Sequence, residues 1–123
     1  MVQIVIPNFE ITPHGGVQTV HPQSRRVLQK RAATATTVVQ VLALGEGVVV
    51  REEYFRHADG VSNVYFLDAH LREQWRAELP SPDDVYSGPI QVCSGVLRVA
   101  SWKCWTCDLD PANGRLVAKK FTK

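Results

Sequence analysis

The sequence holds few of the residues that mark a special environment. Three cysteines in 123 residues, an odd number, argue against a secreted disulfide framework. The formal net charge of +2 is too small to indicate a nucleic-acid or membrane partner. No apolar run approaches the roughly 20 residues that a membrane-spanning helix needs. The first residues also lack a signal-peptide pattern. We therefore expect a cytoplasmic protein.

Catalytic signatures are missing too. The chain has neither a G-x-S-x-G elbow nor a phosphate-binding loop. Its four histidines show no ligand spacing. Cys104 and Cys107 form a C-x-x-C, but they precede a hairpin turn rather than a helix. On a strand, positions i and i+3 face opposite sides of the sheet, so these thiols should point apart. We predict no catalytic residue, no metal site and no cofactor.

The chain is instead rich in residues that favour β-strands and turns. β-Branched runs alternate with Gly, Pro and Asp turn signals, as in the pair of runs around 45–47. Helix signals are poor, and the best candidate, 23–33, reads as a strand pair or one short helical turn. The sequence predicts an all-β fold. The expected strands are 38–44, 48–55, 63–68, 72–79, 90–93, 96–102, 104–109 and 115–121.

One pattern recurs along the chain. A strand ending at Asp68 and a strand ending near Asp110 each run into a polar turn and a further strand, and a fainter copy surrounds His21. These three residues lie 47 and 42 positions apart, the period of a four-stranded repeat. We therefore divide a single domain, 1–123, into a partial repeat (1–37) and two blade-like units (38–80 and 81–123).

The two units resemble β-propeller repeats of the quinoprotein-dehydrogenase type. The first matches at 47–50, 67–68 and Trp75, and the second at 95–97, Asp110 and Gly114. The resemblance, which covers 38–121, implies antiparallel four-stranded meanders in which the Asp accepts hydrogen bonds from turn amides. The first unit lacks the turn Gly and the second lacks the Trp. No residue matches those that hold quinone or calcium, so the resemblance implies no cofactor here.

An incomplete set of blades poses a packing problem. Closed propellers typically have four to eight blades, and each blade buries its faces only against its neighbours. The sheets must then close as a small barrel or sandwich, or be completed by dimerisation. We expect a homodimer that pairs through edge strands at 3–6 or 116–121. Trp75 should be buried, sharing an apolar face with Ala77.

A meander places its tight turns at one end and its longer connections at the other. The loops 31–37, 56–62, 80–89 and the corner 101–103 should therefore share one face, where function is usually displayed. We expect this face to contact a ligand or partner. Its polar and aromatic residues are Arg56, His57, Asp59, Asp83, Asp84, Tyr86 and Lys103.

Two functions from different classes remain open. The first is a non-catalytic interaction or scaffold module that binds itself or another protein. The alternative is a small-ligand-binding protein or hydrolase-like enzyme that uses the loop face 56–62/80–89. In the second case His57 and either Asp83 or Asp84 are the acid/base candidates.

Overall fold

The structure, a computed structural model, describes residues 6–58 and 60–122. Within these ranges it contains eleven β-strands and no helix, which confirms the all-β prediction. No segment of the described chain is therefore a helix able to span a membrane. The first three strands are β1 (Asn8–Ile11), β2 (Val17–Val20) and β3 (Val27–Arg31). The next four are β4 (Val38–Leu44), β5 (Gly47–Glu52), β6 (Val64–Leu67) and β7 (Glu73–Arg76). The last four are β8 (Gln91–Cys93), β9 (Val96–Ala100), β10 (Trp105–Leu109) and β11 (Leu116–Phe121).

The described strands form three antiparallel meanders. The orders are β1-β2-β3, β4-β5-β6-β7 and β8-β9-β10-β11, so each strand pairs with its neighbours in sequence. We call these the first, second and third sheets. Because they are separate sheets packed through their faces, they form a stack of blade-like units rather than the closed barrel considered from the sequence.

The middle sheet is buried on both faces. Val48 and Val50 belong to the core shared with the first sheet, while Val49 belongs to the core shared with the third. All three side chains are fully buried. A strand covered on both sides needs apolar residues at every position, which explains the continuous valine run.

Two strands end three residues before their predicted ends. The strand expected at 48–55 ends at Glu52, because the Glu52 carboxylate turns inward and accepts hydrogen bonds from the backbone amides of residues 34–36. The strand expected at 72–79 ends at Arg76. Residues 53–55 and 77–79 instead belong to connections between strands.

In each sheet, an equivalent turn joins the last two strands. The carboxylate of Asp68 accepts hydrogen bonds from the amides of His70 and Arg72, and that of Asp110 accepts one from the amide of Ala112. In the first sheet the imidazole Nδ1 of His21 accepts from the amides of residues 23 and 24. The predicted role of Asp68 and Asp110 as acceptors of hydrogen bonds from turn amides is confirmed. His21 has the same role in the turn of the first sheet.

Trp75 joins the second sheet to the third. Its ring stacks on Phe66 with centroids 5.6 Å apart, and its indole N–H donates to the carbonyl of Pro111 at 3.2 Å. Gly114, in the last turn, lies against the ring. Trp75 is 9% exposed and Ala77 is 3% exposed, so their predicted shared apolar face is confirmed.

Each of the two terminal sheets carries a polar side-chain pair among the described residues, although both also expose apolar side chains such as Leu28 and Val117. On the third sheet Arg98 pairs with Asp108 through two hydrogen bonds, of 2.8 and 3.2 Å. On the first sheet Glu10 accepts from Gln18 at 3.2 Å. The edge strand expected at 3–6 falls mostly outside the described residues.

Candidate functional site

The antiparallel order gives the stack two different ends. The turns 45–46, 68–72, 94–95 and 110–115 lie at one end, which we call the turn end. The longer links 32–37, 53–63, 77–90 and 101–104 lie at the other, the connector end. A cavity of about 340 Å³ opens there between the second and third sheets. This connector cavity is lined by Tyr54, Phe55, Arg56, His57, Ala58, Asp83, Asp84, Val85 and Trp102.

Side-chain hydrogen bonds fix the loops that form the connector cavity. Asn63, fully buried, donates to the carbonyls of Glu52 and Tyr86 and accepts from the amide of Tyr86. Asp84 Oδ1 accepts from the amides of Val85 at 2.8 Å and Lys103 at 3.1 Å. These hydrogen bonds join the link 77–90 to the links 53–63 and 101–104. The walls of the connector cavity are therefore preorganised.

An aromatic pair crosses the boundary between the two sheets. The rings of Tyr54 and Trp102 stack with centroids 5.3 Å apart and an angle of 27° between their planes. Trp102 is nevertheless 62% exposed, and the neighbouring Phe55 is 65% exposed. The Arg56 guanidinium lies 5.7 Å from the centre of the Phe55 ring. Large exposed aromatic rings on a fixed scaffold are typical anchors of binding surfaces.

The charged groups at the cavity are partly paired. Asp83 accepts hydrogen bonds from the Lys103 ammonium and, at 2.8 Å, from the Ser81 hydroxyl. These two contacts hold the pKa of Asp83 below its ordinary value, and the same contact with Asp83 raises the pKa of Lys103. Asp83 is therefore an ionised carboxylate with a cation beside it.

Two buried polar atoms at the connector cavity have no hydrogen-bond partner among the described residues. One is Oδ2 of Asp84, a residue only 5% exposed, and the other is Nε2 of His57. His57 Nδ1 lies 3.4 Å from the Ala58 carbonyl. Buried polar atoms are usually paired, so two residues that line one cavity and each keep an unpaired polar atom point to a hydrogen-bonding ligand or partner.

The structure brings most of the predicted face residues together. Arg56, His57, Asp83 and Asp84 line the connector cavity, and Lys103 lies beside it through its contact with Asp83. Asp59 lies outside the described residues.

Tyr86 is the exception, because it belongs to the core. Its side chain is fully buried and its hydroxyl donates to the carbonyl of Glu78. Burial raises the pKa of its phenol. Residue 86 belongs to the link 77–90 at the connector end, but its side chain packs into the core between the second and third sheets.

Sequence reasoning missed the aromatic residues of the site. The sequence predicts Tyr54 and Phe55 within the strand 48–55 and Trp102 within the strand 96–102. Their position in the sequence could have indicated a place at the site, because all three residues closely follow the end of a strand, β5 or β9, at the connector end.

A second, wider groove adjoins the connector cavity. It has a volume of about 560 Å³ and is lined by Gly60, Val61, Ser62, Arg76, Ala77, Glu78, Leu79, Ser81 and Pro82. The same two loops thus line both depressions, with residues 58 and 83 on one side and residues 60 and 82 on the other.

The two cysteines of the C-x-x-C have opposite environments, although Cys104 lies in the turn before β10, with a φ of 71°, and not on a strand as predicted. Cys104 is exposed, whereas Cys107 is fully buried, and both are free thiols. Burial, assisted by the nearby Asp84 carboxylate, raises the pKa of Cys107 to about 11. Among residues 6–58 and 60–122, no three His, Cys, Asp or Glu side chains are grouped to hold a metal ion.

Comparison with known proteins places the fold and the family. BamB from Moraxella catarrhalis, a β-propeller, matches 93% of this chain with a TM-score of 0.57 at 18% identity. The computationally designed Ika8 protein matches all of it with a TM-score of 0.67 at 10% identity. The chain spans about a third of each, 37% and 35% respectively. The predicted resemblance to propeller blades is thereby confirmed.

No curated protein matches the sequence. A family does match, over residues 26–121, which comprise most of the chain and all of the connector cavity. The chain therefore belongs to the family described as Domain of unknown function (DUF7957).

Proposed function

We propose that this chain is a non-catalytic interaction module that binds a segment of a partner protein at the connector end. The observation that carries the proposal is the stack of Tyr54 and Trp102, in which Trp102 stays 62% exposed although the pair bridges two sheets. Rigid aromatic side chains contribute most of the binding energy at many protein interfaces, because they bury large areas at little entropic cost.

The shape of the surface favours an extended partner. The connector cavity and the adjoining groove are lined by the same two loops, so one segment of chain can lie across both. The backbone and side-chain contacts of Asn63 and Asp84 hold these loops before a partner arrives. Preorganised surfaces bind more tightly because less conformational entropy is lost on association.

A small-ligand-binding role is the second candidate. It is favoured by the volume of the connector cavity, about 340 Å³, which lies in the range of small-molecule sites. Hydrolytic chemistry has less support. His57 has no hydrogen bond to Asp83 or Asp84, although a base usually needs a group that orients it.

The test is binding to an array of short peptides of random sequence, with two matched variants. Trp102→Ala removes the exposed ring of the connector cavity. Val92→Ala removes a comparably exposed apolar side chain on β8, outside the cavity. We expect the wild type and Val92→Ala to retain the same peptides and Trp102→Ala to lose them.

Two results would contradict the interaction module. One is peptide binding that survives Trp102→Ala. The other is failure to retain any peptide while a library of small metabolites binds in a Trp102-dependent manner, which would favour the second candidate. If the protein binds only further copies of itself, its function is self-association, as in the homodimer expected from the sequence.

A further inference from the structure

The unpaired atoms of the connector cavity share one hydrogen-bonding character. Asp84 Oδ2 is an acceptor, and the amides of Val85 and Lys103 already occupy its sister oxygen Oδ1. In the neutral tautomer whose Nδ1–H donates to the Ala58 carbonyl, 3.4 Å away, His57 Nε2 is an acceptor. A group that satisfies both atoms must therefore carry at least two donors.

The aromatic wall adds a second requirement. Tyr54 and Trp102 present a stacked pair with one indole surface open to solvent, and Phe55 stands beside them. The faces of such rings attract cations, and planar cations stack on them with the largest contact. The group that fits is a flat cation with several N–H donors.

The protein's own cations do not occupy this place. The Lys103 ammonium is paired with Asp83, and the Arg56 guanidinium lies over Phe55. Neither side chain forms a hydrogen bond with Asp84 Oδ2. Asp84 is thus the carboxylate of the cavity that lacks a cationic partner.

We propose that the connector cavity binds the guanidinium of an arginine side chain, an inference that rests on the proposed function. The guanidinium stacks on Trp102 and donates to Asp84 Oδ2 and His57 Nε2. Arginine fits better than lysine because its planar fork supplies several donors in fixed directions, whereas an ammonium is a strongly hydrated point charge. The partner segment therefore carries an exposed arginine.

Fluorine NMR of protein labelled with fluorotryptophan tests this directly, because the three tryptophans report on different places. Trp102 lies in the connector cavity, Trp75 is buried between sheets, and Trp105 packs on Phe121. The probes are the blocked amides of arginine, citrulline and lysine, and short peptides that carry each residue. Citrulline keeps the planar shape but has no charge.

We expect saturable shifts of Trp102 alone, with arginine at least about tenfold tighter than citrulline, which lacks the charge, or lysine, which lacks the planar fork of donors. Asp84→Asn keeps Oδ1 for the two backbone amides and replaces Oδ2 with a donor. It should weaken arginine binding by about tenfold or more. Asp108→Asn, which removes the same charge on the outer face of the third sheet, should leave binding unchanged.

The outcomes separate this inference from the proposed function. Equal affinity for arginine and citrulline, or undiminished binding by Asp84→Asn, overturns the arginine site. If peptides without arginine shift Trp102 equally, the arginine site is also overturned, but the proposed interaction module is not. Failure of every peptide to shift Trp102 overturns both. If Asp84→Asn melts abnormally, His57→Phe removes the other acceptor on an exposed loop, and unchanged affinity in that variant contradicts the proposal.

Discussion

At the scale of single residues, Trp75 and Trp102 occupy opposite environments: Trp75 is 9% exposed between two sheets, whereas Trp102 is 62% exposed at the connector cavity. The alternation around Trp75 predicted its buried face, because charged neighbours on either side fix which positions point inward. No such alternation surrounds Trp102, which follows the end of β9 at a corner. Its exposure depends on where the connection from another sheet passes, and that is a long-range contact that local pattern does not encode.

Trp75→Ala should lower the free energy of unfolding by roughly 3–5 kcal/mol, as large aromatic truncations in cores do. The loss combines the contacts with Phe66 and Gly114 and the hydrogen bond to the Pro111 carbonyl. Trp102→Ala, the matched exposed change, should cost less than about 1 kcal/mol. Urea denaturation compares the two, and similar losses for both variants would contradict the assignment of their environments.

Gly114→Ala should destabilise more than Gly95→Ala, although both glycines have positive φ, 75° and 83°. Left-handed backbone strain costs an alanine roughly 1–2 kcal/mol at either site. A Cβ on Gly114 would also lie 2.4 Å from a carbon of the Trp75 ring, whereas nothing lies within 4 Å of a Cβ on Gly95. We expect overpacking to add about 1–3 kcal/mol at position 114. Equal thermal stabilities of the two variants would show that Trp75 does not pack on this turn.

At the scale of elements, strand centres were predictable and strand ends were not. The β-branched runs located every strand from β4 onward, and the turn residues Asp68 and Asp110 marked the hairpins. The end of β5 was missed because Glu52 reads locally as a surface residue. Its carboxylate is buried by a loop from the first sheet, residues 34–36, and local sequence does not reveal that pairing.

Glu52 should make the stability of this junction depend on pH. Burial by itself would raise the pKa of Glu52, but hydrogen bonds from the Tyr65 hydroxyl and the amides of residues 34–36 outweigh it and lower the pKa below the ordinary 4.5. A lowered folded-state pKa stabilises the fold above the unfolded value, and this contribution is lost as the pH falls through the folded value.

Glu52→Gln should therefore be destabilised by about 2–3 kcal/mol at neutral pH, because an amide nitrogen then faces backbone donors. It should also lose less further stability than the wild type on acidification below about pH 4.5. Glu46→Gln, an exposed change in the turn before β5, is the control and should follow the wild-type profile. Parallel pH profiles for all three proteins would contradict the role given to Glu52.

At the scale of the whole molecule, the stack explains why the loops converge. Three meanders packed through their faces bring all the longer connections to one end, and that end carries the connector cavity. The repeat period predicted this arrangement, since equivalent turns recur at His21, Asp68 and Asp110. The volume and aromatic wall of the cavity were beyond prediction, because they depend on how two adjacent sheets are offset.

Self-association stays a prediction, and its expected geometry is still pairing through strand edges. The sequence suggested that an apolar sheet face would need covering, but the described outer faces carry the Arg98–Asp108 pair and the Glu10–Gln18 contact. A homodimer would then form through strand edges such as β11. Sedimentation at several protein concentrations decides whether it forms, and a concentration-independent monomer would reject it.

We expect recognition to occur at the connector end, between the second and third sheets. A crystal structure of the protein with a peptide selected from the random array tests this. The peptide should pack on Trp102 and Tyr54 and continue into the groove beside Pro82. A peptide bound at the turn end, or added as a strand to an edge such as β11, would contradict it.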